Sequence, residues 1–117
     1  MNSLLIIEDD KDISEALRLF LTMKGYTVAV CTDLVPNHLP FTPDVILMDV
    51  YLSGKSGKDC CKNLKHNPLT SNIPVVMMSA TPVEKEECLA AGAINFIEKP
   101  FTLVEVEEAI KSAMAAA

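Results

Sequence analysis

The sequence predicts a single α/β domain built on a doubly wound parallel sheet, and three observations support that prediction. Five short apolar runs recur along the 117 residues, and segments of helical character separate most of them. Three of the runs are continuously apolar, which is typical of parallel strands that are buried on both faces. Half of the residues are apolar, which is enough for one compact core, and the chain is too short for two domains. We therefore expect residues 1–117 to form one domain.

The predicted strands are short apolar runs that end at a turn or at a charged residue, as strands of small domains do. They cover residues 4–8, 27–31, 45–49, 74–78 and 94–98.

The first two predicted helices are recognised by apolar spacing and by their ends. Residues 10–25 place apolar side chains at helical spacing and stop at Gly25, which suits the left-handed position beyond a helix end. The next clear helix covers about 57–66 and stops before Pro68, because proline disfavours helical geometry in the preceding residue.

Two further helices are predicted from capping boxes. "TPVE" at 81–84 and "TLVE" at 102–105 both place Thr three residues before Glu, and the helices they open end near Gly92 and Met114.

The connection between the second and third strands is unusual, because residues 32–43 contain three prolines. Only a short or irregular helix is expected there, near residues 33–39.

Composition argues against several classes of function. The formal net charge is −6, the pI is near 4.8 and no run of Lys or Arg is present, so direct nucleic-acid binding is not expected. The start, "MNSLLIIEDD", becomes acidic after a few apolar residues, which predicts neither a signal peptide nor a membrane span. The four cysteines lack metal-ligand spacing, so reduced thiols in a cytoplasmic protein are expected.

Polar residues follow four of the predicted strands, at the edge of the sheet where ligands bind in doubly wound folds. They are Glu8, Asp9 and Asp10 after the first strand, Asp49 at the end of the third, Ser79 after the fourth and Lys99 after the fifth.

These residue types together predict a site for a phosphoryl group. Carboxylates that lie close together repel each other unless a cation sits among them, and an all-oxygen set of ligands suits Mg²⁺. Lys99 and Ser79 add an ammonium group and a hydroxyl donor for phosphoryl oxygens. Asp49 would be the nucleophile that attacks phosphorus.

The sequence closely resembles the receiver domains of two-component response regulators, including single-domain, chemotaxis-regulator-like members, over essentially its whole length. The matching residues are Glu8-Asp9, Asp49 with Gly54 and Gly57, Ser79-Ala80, Gly92-Ala93 and Lys99-Pro100-Phe101. The resemblance implies a flavodoxin-like sheet with strand order 2-1-3-4-5 and helices on both faces.

The resemblance also implies a metal site around the phosphoacceptor Asp49. Asp9 and Asp49 would ligate Mg²⁺ directly together with the backbone carbonyl of Tyr51, and Glu8 would act through metal-bound water.

A switch is implied beside that site. Ser79 and Phe96 would be the switch pair, Lys99 would bind a phosphoryl oxygen, and the Lys99–Pro100 peptide bond would be cis.

The implied role is a signalling switch that catalyses only its own phosphorylation and dephosphorylation. A sensor histidine kinase or a phosphotransfer protein would donate the phosphoryl group. With the irregular segment near 33–39 counted as the second helix, the face formed by the fourth helix, fifth strand and fifth helix would then change its binding to a downstream protein. A monomer or weak dimer without membrane contact is expected.

The sequence departs from the family pattern at three places. Ser53 stands where members usually carry proline, the helix expected between the second and third strands is short or irregular, and the switch aromatic is Phe96 instead of the frequent tyrosine.

Two other functions remain open at this point. A small phosphatase of haloacid-dehalogenase-like type would also use a strand-end aspartate nucleophile. A nucleotide-binding α/β domain is weakly supported, because no glycine-rich phosphate loop follows any strand. Single residues also have structural interpretations: Asp10 could cap the first helix, and Phe96 could be a core residue.

Overall fold

The computed structural model describes residues 2–32, 39, 41–52 and 54–116. In chain order, its elements are β1 (Ser3–Ile7), α1 (Lys11–Met23), β2 (Thr27–Cys31), β3 (Val45–Asp49), β4 (Tyr51–Leu52), β5 (Lys55–Ser56), α2 (Gly57–His66), β6 (Val75–Ser79), α3 (Glu84–Ala90), β7 (Asn95–Glu98) and α4 (Leu103–Ala116).

Five parallel strands form the main sheet, in the order β2-β1-β3-β6-β7. Counting only the five predicted strands, this order is the expected 2-1-3-4-5. The central strands β3 and β6 are buried at every position, and β1 is buried from Leu4 to Ile7. These are the continuously apolar runs of the sequence, so the prediction that they are covered on both faces is confirmed.

Helices cover the sheet on both faces, as predicted, and each face has its own apolar cluster. Alternate residues of each strand point to opposite faces. On one face Leu5, Ile46 and Met77 pack with residues of α2 and α3. On the other, Leu4 and Leu47 pack with residues of α1 and α4.

Three of the predicted helix ends are confirmed. The Asp10 side chain accepts hydrogen bonds from the backbone N–H groups of Asp12 and Ile13 at the start of α1. Gly25 follows this helix with φ of +96°, a conformation that a side chain would strain. At α4, Thr102 and Glu105 exchange side-chain to backbone hydrogen bonds, each 3.1 Å long, which form a complete capping box.

The predicted capping box at 81–84 is wrong. The helix α3 begins at Glu84, and within the described residues no side chain caps it. A turn precedes it, in which the Glu84 N–H donates to the carbonyl of Thr81. The Glu84 carboxylate does not reach back to its own helix start because it binds Lys58 and Tyr51, which lie on other elements.

Two sequence expectations fall outside the part of the chain that the structure describes. The expected irregular helix near 33–39 lies almost wholly outside that part, and so does Ser53. Within the described part, four helices are present, and none of them is long and apolar enough to cross a bilayer.

Candidate functional site

Strands β1, β3, β6 and β7 bring the predicted polar residues together at the carboxyl end of the sheet. Glu8 is 1% exposed, Asp49 7% and Ser79 1%, so three polar side chains lie almost fully buried among apolar strand ends. Burial of this kind costs free energy unless the groups are paired or bind a ligand. The arrangement therefore indicates a functional site more strongly than a structural one.

Four residues form what we call the acceptor cluster: Glu8, Asp9, Asp49 and Lys99. One carboxylate oxygen from each of the three acids lies within 4.8 Å of the others. Such a spacing allows one ion to contact all three, and oxygen donors without His or Cys fit Mg²⁺. The residues present therefore fit the ion that the sequence analysis expected.

Lys99 is the cation of the acceptor cluster. Its Nζ lies 2.7 Å from Glu8 Oε1 and 3.1 Å from Asp49 Oδ1. Burial alone would lower the pKa of Lys99, but hydrogen bonds to Glu8 and Asp49 outweigh it and raise the pKa above its ordinary value. The ammonium group is therefore fully charged at neutral pH, next to the predicted nucleophile.

For Glu8, unlike Lys99, the surroundings disfavour the charged form. Burial raises the pKa of Glu8 and the negative charge of Asp49 adds to the effect, while the hydrogen bond from Lys99 opposes it. One ammonium group thus only partly offsets three carboxylates. A further positive charge would stabilise the ionised form of this cluster.

Ser79 lies where the switch hydroxyl was predicted. Its Oγ accepts a hydrogen bond from the backbone N–H of Thr81 at 3.1 Å, and its carbonyl accepts one from the Lys99 N–H at 2.9 Å. Phe96 lies on the neighbouring strand β7, partly buried against the apolar cluster on the α2 and α3 side. The Lys99–Pro100 peptide bond is cis, as the resemblance implied.

Gly57 packs directly against the backbone of the acceptor residue. A Cβ atom at this position would lie 2.1 Å from the Asp49 carbonyl oxygen and 3.0 Å from the Val50 Cα. The Gly57 N–H also donates to the Val50 carbonyl at 2.6 Å. Glycine is therefore required here for close approach. Gly54 differs, because its φ of +69° favours glycine while a Cβ atom there would meet no atom of the described residues within 4 Å.

Sequence reasoning missed a second group of charged residues beside the site. Lys58 on α2 bonds Glu84 and Glu87 on α3, and the hydroxyl of Tyr51 also bonds Glu84. Lys58 and Tyr51 precede Glu84 by 26 and 33 residues in the chain, so no local spacing could have revealed these contacts. The acidic first turn of α3 was visible, but it indicated only a helix start.

The chain is similar to proteins of one family. The family model described as the response regulator receiver domain matches residues 4–111. The sensory transduction protein RegX3 of Mycobacterium tuberculosis is 31% identical over 119 residues, which cover 97% of this chain and 51% of the relative. The chain thus spans about half the length of the curated relatives it matches.

Solved structures give the same fold. A putative response regulator from Chloroflexus aurantiacus has a TM-score of 0.89 and 30% identity, with 97% of this chain and 98% of that chain covered. The receiver domain of the sensor histidine kinase PA1611 from Pseudomonas aeruginosa has a TM-score of 0.85 and 21% identity, with the same coverage. That receiver domain holds a magnesium ion in its active site cleft.

Proposed function

This chain belongs to the response regulator receiver domain family, and we propose that it is phosphorylated on Asp49. Receiver domains are phosphoacceptor switches of two-component systems, and the family match sets aside the alternative of a haloacid-dehalogenase-like phosphatase. The observation that supports Asp49 is its position: its carboxylate ends a central buried strand, 3.1 Å from the Lys99 ammonium group.

The acceptor cluster would hold Mg²⁺ through Asp9 and Asp49, with the Tyr51 backbone carbonyl as a third protein ligand and Glu8 acting through bound water. The three close carboxylates support this proposal, as does the magnesium site of the PA1611 receiver domain. When bound, the ion supplies positive charge that offsets the carboxylates and the incoming phosphoryl oxygens.

Phosphoryl transfer needs a nucleophile, a fixed approach and donors for the phosphoryl oxygens. An Asp49 carboxylate oxygen forms the bond to phosphorus while the bond between phosphorus and the donor's histidine nitrogen breaks. Lys99 already contacts Asp49, so its ammonium group is placed to bind a phosphoryl oxygen. The chain catalyses only its own phosphorylation and dephosphorylation.

Signal transmission would start at Ser79. A phosphoryl group on Asp49 offers an acceptor to the Ser79 hydroxyl, which now accepts a bond from the Thr81 N–H. Drawing this hydroxyl inward moves the segment before α3 and opens space for Phe96. The output surface is then the face formed by α3, β7 and α4, and its two states differ in affinity for a partner protein.

The proposed setting follows from the family. The partners are a sensor histidine kinase or a phosphotransfer protein upstream and a protein target downstream, without direct nucleic-acid or membrane contact. The domain would act in the cytoplasm as a monomer or weak dimer.

Intact-mass spectrometry after incubation with acetyl phosphate and Mg²⁺ tests the proposal. We expect one phosphoryl adduct, lost in acid and in base, that is abolished in Asp49→Asn and Asp49→Ala. Asp10→Asn is the matched control, because Asp10 caps α1 and should leave labelling intact. Equal labelling of the Asp49 variants would refute the assignment.

A further inference from the structure

A second charged cluster lies beside the acceptor site, and the mechanism above does not use it. The Lys58 Nζ lies 2.6 Å from Glu84 Oε2 and also binds the Glu87 carboxylate. The Tyr51 hydroxyl donates to Glu84 Oε1 at 2.7 Å. We call Tyr51, Lys58, Glu84 and Glu87 the Glu84 cluster.

Glu84 is the centre of this cluster. Its side chain is 12% exposed, whereas that of Glu87 is 59% exposed. Each Glu84 carboxylate oxygen has its own donor, one from Lys58 and one from Tyr51. These bonds hold the pKa of Glu84 below its ordinary value, Lys58 contributing more than Tyr51. Glu84 is therefore ionised, hydrogen-bonded at both oxygens and largely enclosed.

The cluster joins the two chain segments that border the acceptor site. Tyr51 is two residues after Asp49, and Glu84 is the first residue of α3. From Glu84, backbone and side-chain hydrogen bonds lead through Thr81 to the Ser79 hydroxyl. The segment that follows the acceptor is thus tied to the segment that follows the switch residue.

Beyond hydrogen bonds of its hydroxyl to Glu84 and to the Thr81 side chain, little fixes the Tyr51 side chain. Its residue is 58% exposed, and the hairpin that contains it has only two residues in each strand, β4 and β5. Short hairpins of this kind are marginal without further contacts. The hydrogen bond to Glu84 therefore restricts Tyr51 directly, and with it the backbone that carries the Tyr51 carbonyl.

We propose that Glu84 is a positioning residue for the magnesium site, acting by holding Tyr51 so that its carbonyl faces the ion. This inference rests on the proposed metal site. Groups that orient a metal ligand set affinity without touching the metal. Lys58 acts one step further away, because it keeps Glu84 ionised and oriented.

Magnesium affinity measured by amide chemical-shift titration tests the inference in the full chain. Tyr51→Phe removes only the hydroxyl, and Glu84→Ala removes its acceptor. Each should raise the Mg²⁺ dissociation constant by about three- to tenfold, at or below the range found for partners that bond a ligand directly. The double variant should bind Mg²⁺ no more weakly than the weaker-binding single variant, because both changes break the hydrogen bond between Tyr51 and Glu84.

Two control variants distinguish the positioning of Tyr51 from a general loss of negative charge and from a general loss of stability. Glu87→Ala removes a carboxylate from the same lysine without touching Tyr51, so its dissociation constant should stay within about twofold of wild type. Thr102→Ala removes the α4 capping box, so it should lower the melting temperature and leave Mg²⁺ affinity unchanged.

A wild-type protein that binds no Mg²⁺ would refute the proposed metal site and this inference with it. A wild-type protein that binds Mg²⁺ only as tightly as Tyr51→Phe and Glu84→Ala do would refute the inference alone. Single effects that multiply in the double variant would also refute it, because the two side chains would then act independently.

Discussion

The acceptor cluster and the Glu84 cluster are both built from carboxylates around one lysine, yet their balance of charge differs. In the acceptor cluster Lys99 faces three acids, and Glu8 and Asp49 are almost fully buried. In the Glu84 cluster Lys58 faces two acids, of which Glu87 is largely exposed to water. The acceptor cluster lacks positive charge at a place where water cannot screen its carboxylates. In the Glu84 cluster, water screens the exposed carboxylate of Glu87, and Lys58 and Tyr51 bind that of Glu84.

The pKa shifts of Glu8 and Glu84 reflect the same difference between the two clusters. The pKa of Glu8 is raised, chiefly by burial, so ionised Glu8 weakens the fold. The pKa of Glu84 is lowered by Lys58 and Tyr51, so ionised Glu84 strengthens it. A buried acidic cluster that lacks positive charge is suited to binding a cation, whereas a carboxylate that is hydrogen-bonded at both oxygens ties elements together.

Gly57→Ala should break both clusters at once. The added methyl group would collide with the Asp49 carbonyl, and Gly57 precedes Lys58 at the start of α2. We expect a loss of about 3 kcal/mol in the free energy of unfolding, the upper part of the range for overpacking, and a fall of about 12 °C in melting temperature. Calorimetry measures both quantities.

Gly54→Ala is the matched control for this prediction. It strains a positive φ but meets no atom of the described residues, so its cost should be only about 1 kcal/mol. Equal losses in the two variants would contradict the close contact at Asp49.

Asp9→Ala should remove the stabilisation that Mg²⁺ provides. At a Mg²⁺ concentration about ten times the dissociation constant, binding stabilises the wild type by about 1.4 kcal/mol, a rise of about 6 °C in melting temperature. Asp9→Ala should lose this rise. Asp10→Ala should melt lower with and without Mg²⁺, because it loses the α1 cap, and should keep the rise. The reverse pattern would show that the ligand is Asp10.

Glu8→Gln and Glu84→Gln should change stability in opposite directions when Mg²⁺ is chelated. At neutral pH Glu8→Gln should raise the melting temperature, since it removes a carboxylate whose pKa burial has raised. Glu84→Gln should lower the melting temperature, since the favourable ionised form is lost.

Both differences depend on pH in a defined way. The ordinary pKa of Glu is 4.5. The gain in melting temperature in Glu8→Gln should vanish as the pH falls below this value, because wild-type Glu8 is then protonated in both the folded and the unfolded state. The loss in Glu84→Gln should persist to lower pH and vanish only below the lowered pKa of Glu84. Differences of the same sign for the two variants would contradict the contrast between the clusters.

Most of the sheet could be predicted from the sequence because its signals are local. The runs that became β1, β3 and β6 are apolar at nearly every position, and a central parallel strand is the element that buries such a run. The position of Asp49 at the end of one run then places it, by topology, beside Glu8 and Lys99. The contacts of Lys99 with both acids confirm that juxtaposition.

The Glu84 cluster could not be predicted, because its signals are not local. Thr81 and Glu84 have the spacing of a capping box, but Glu84 binds Tyr51, which lies 33 residues away in the chain. The β4–β5 hairpin was also missed, although Gly54, with its positive φ, stands between its strands. Two-residue strands are too short for hydrophobic alternation to reveal them.

The central claim is that phosphorylation of Asp49 changes the α3–β7–α4 face through Ser79 and Lys99. Amide chemical shifts recorded with and without beryllofluoride, a phosphoryl mimic, test it directly. In wild type, changes should extend from residue 79 to about residue 101, across α3 and β7. In Ser79→Ala the changes should shrink toward the acceptor cluster, and in Lys99→Ala they should shrink further, because a charge-assisted contact is the stronger one. Changes in Ser79→Ala that reach as far as those of wild type would contradict the relay.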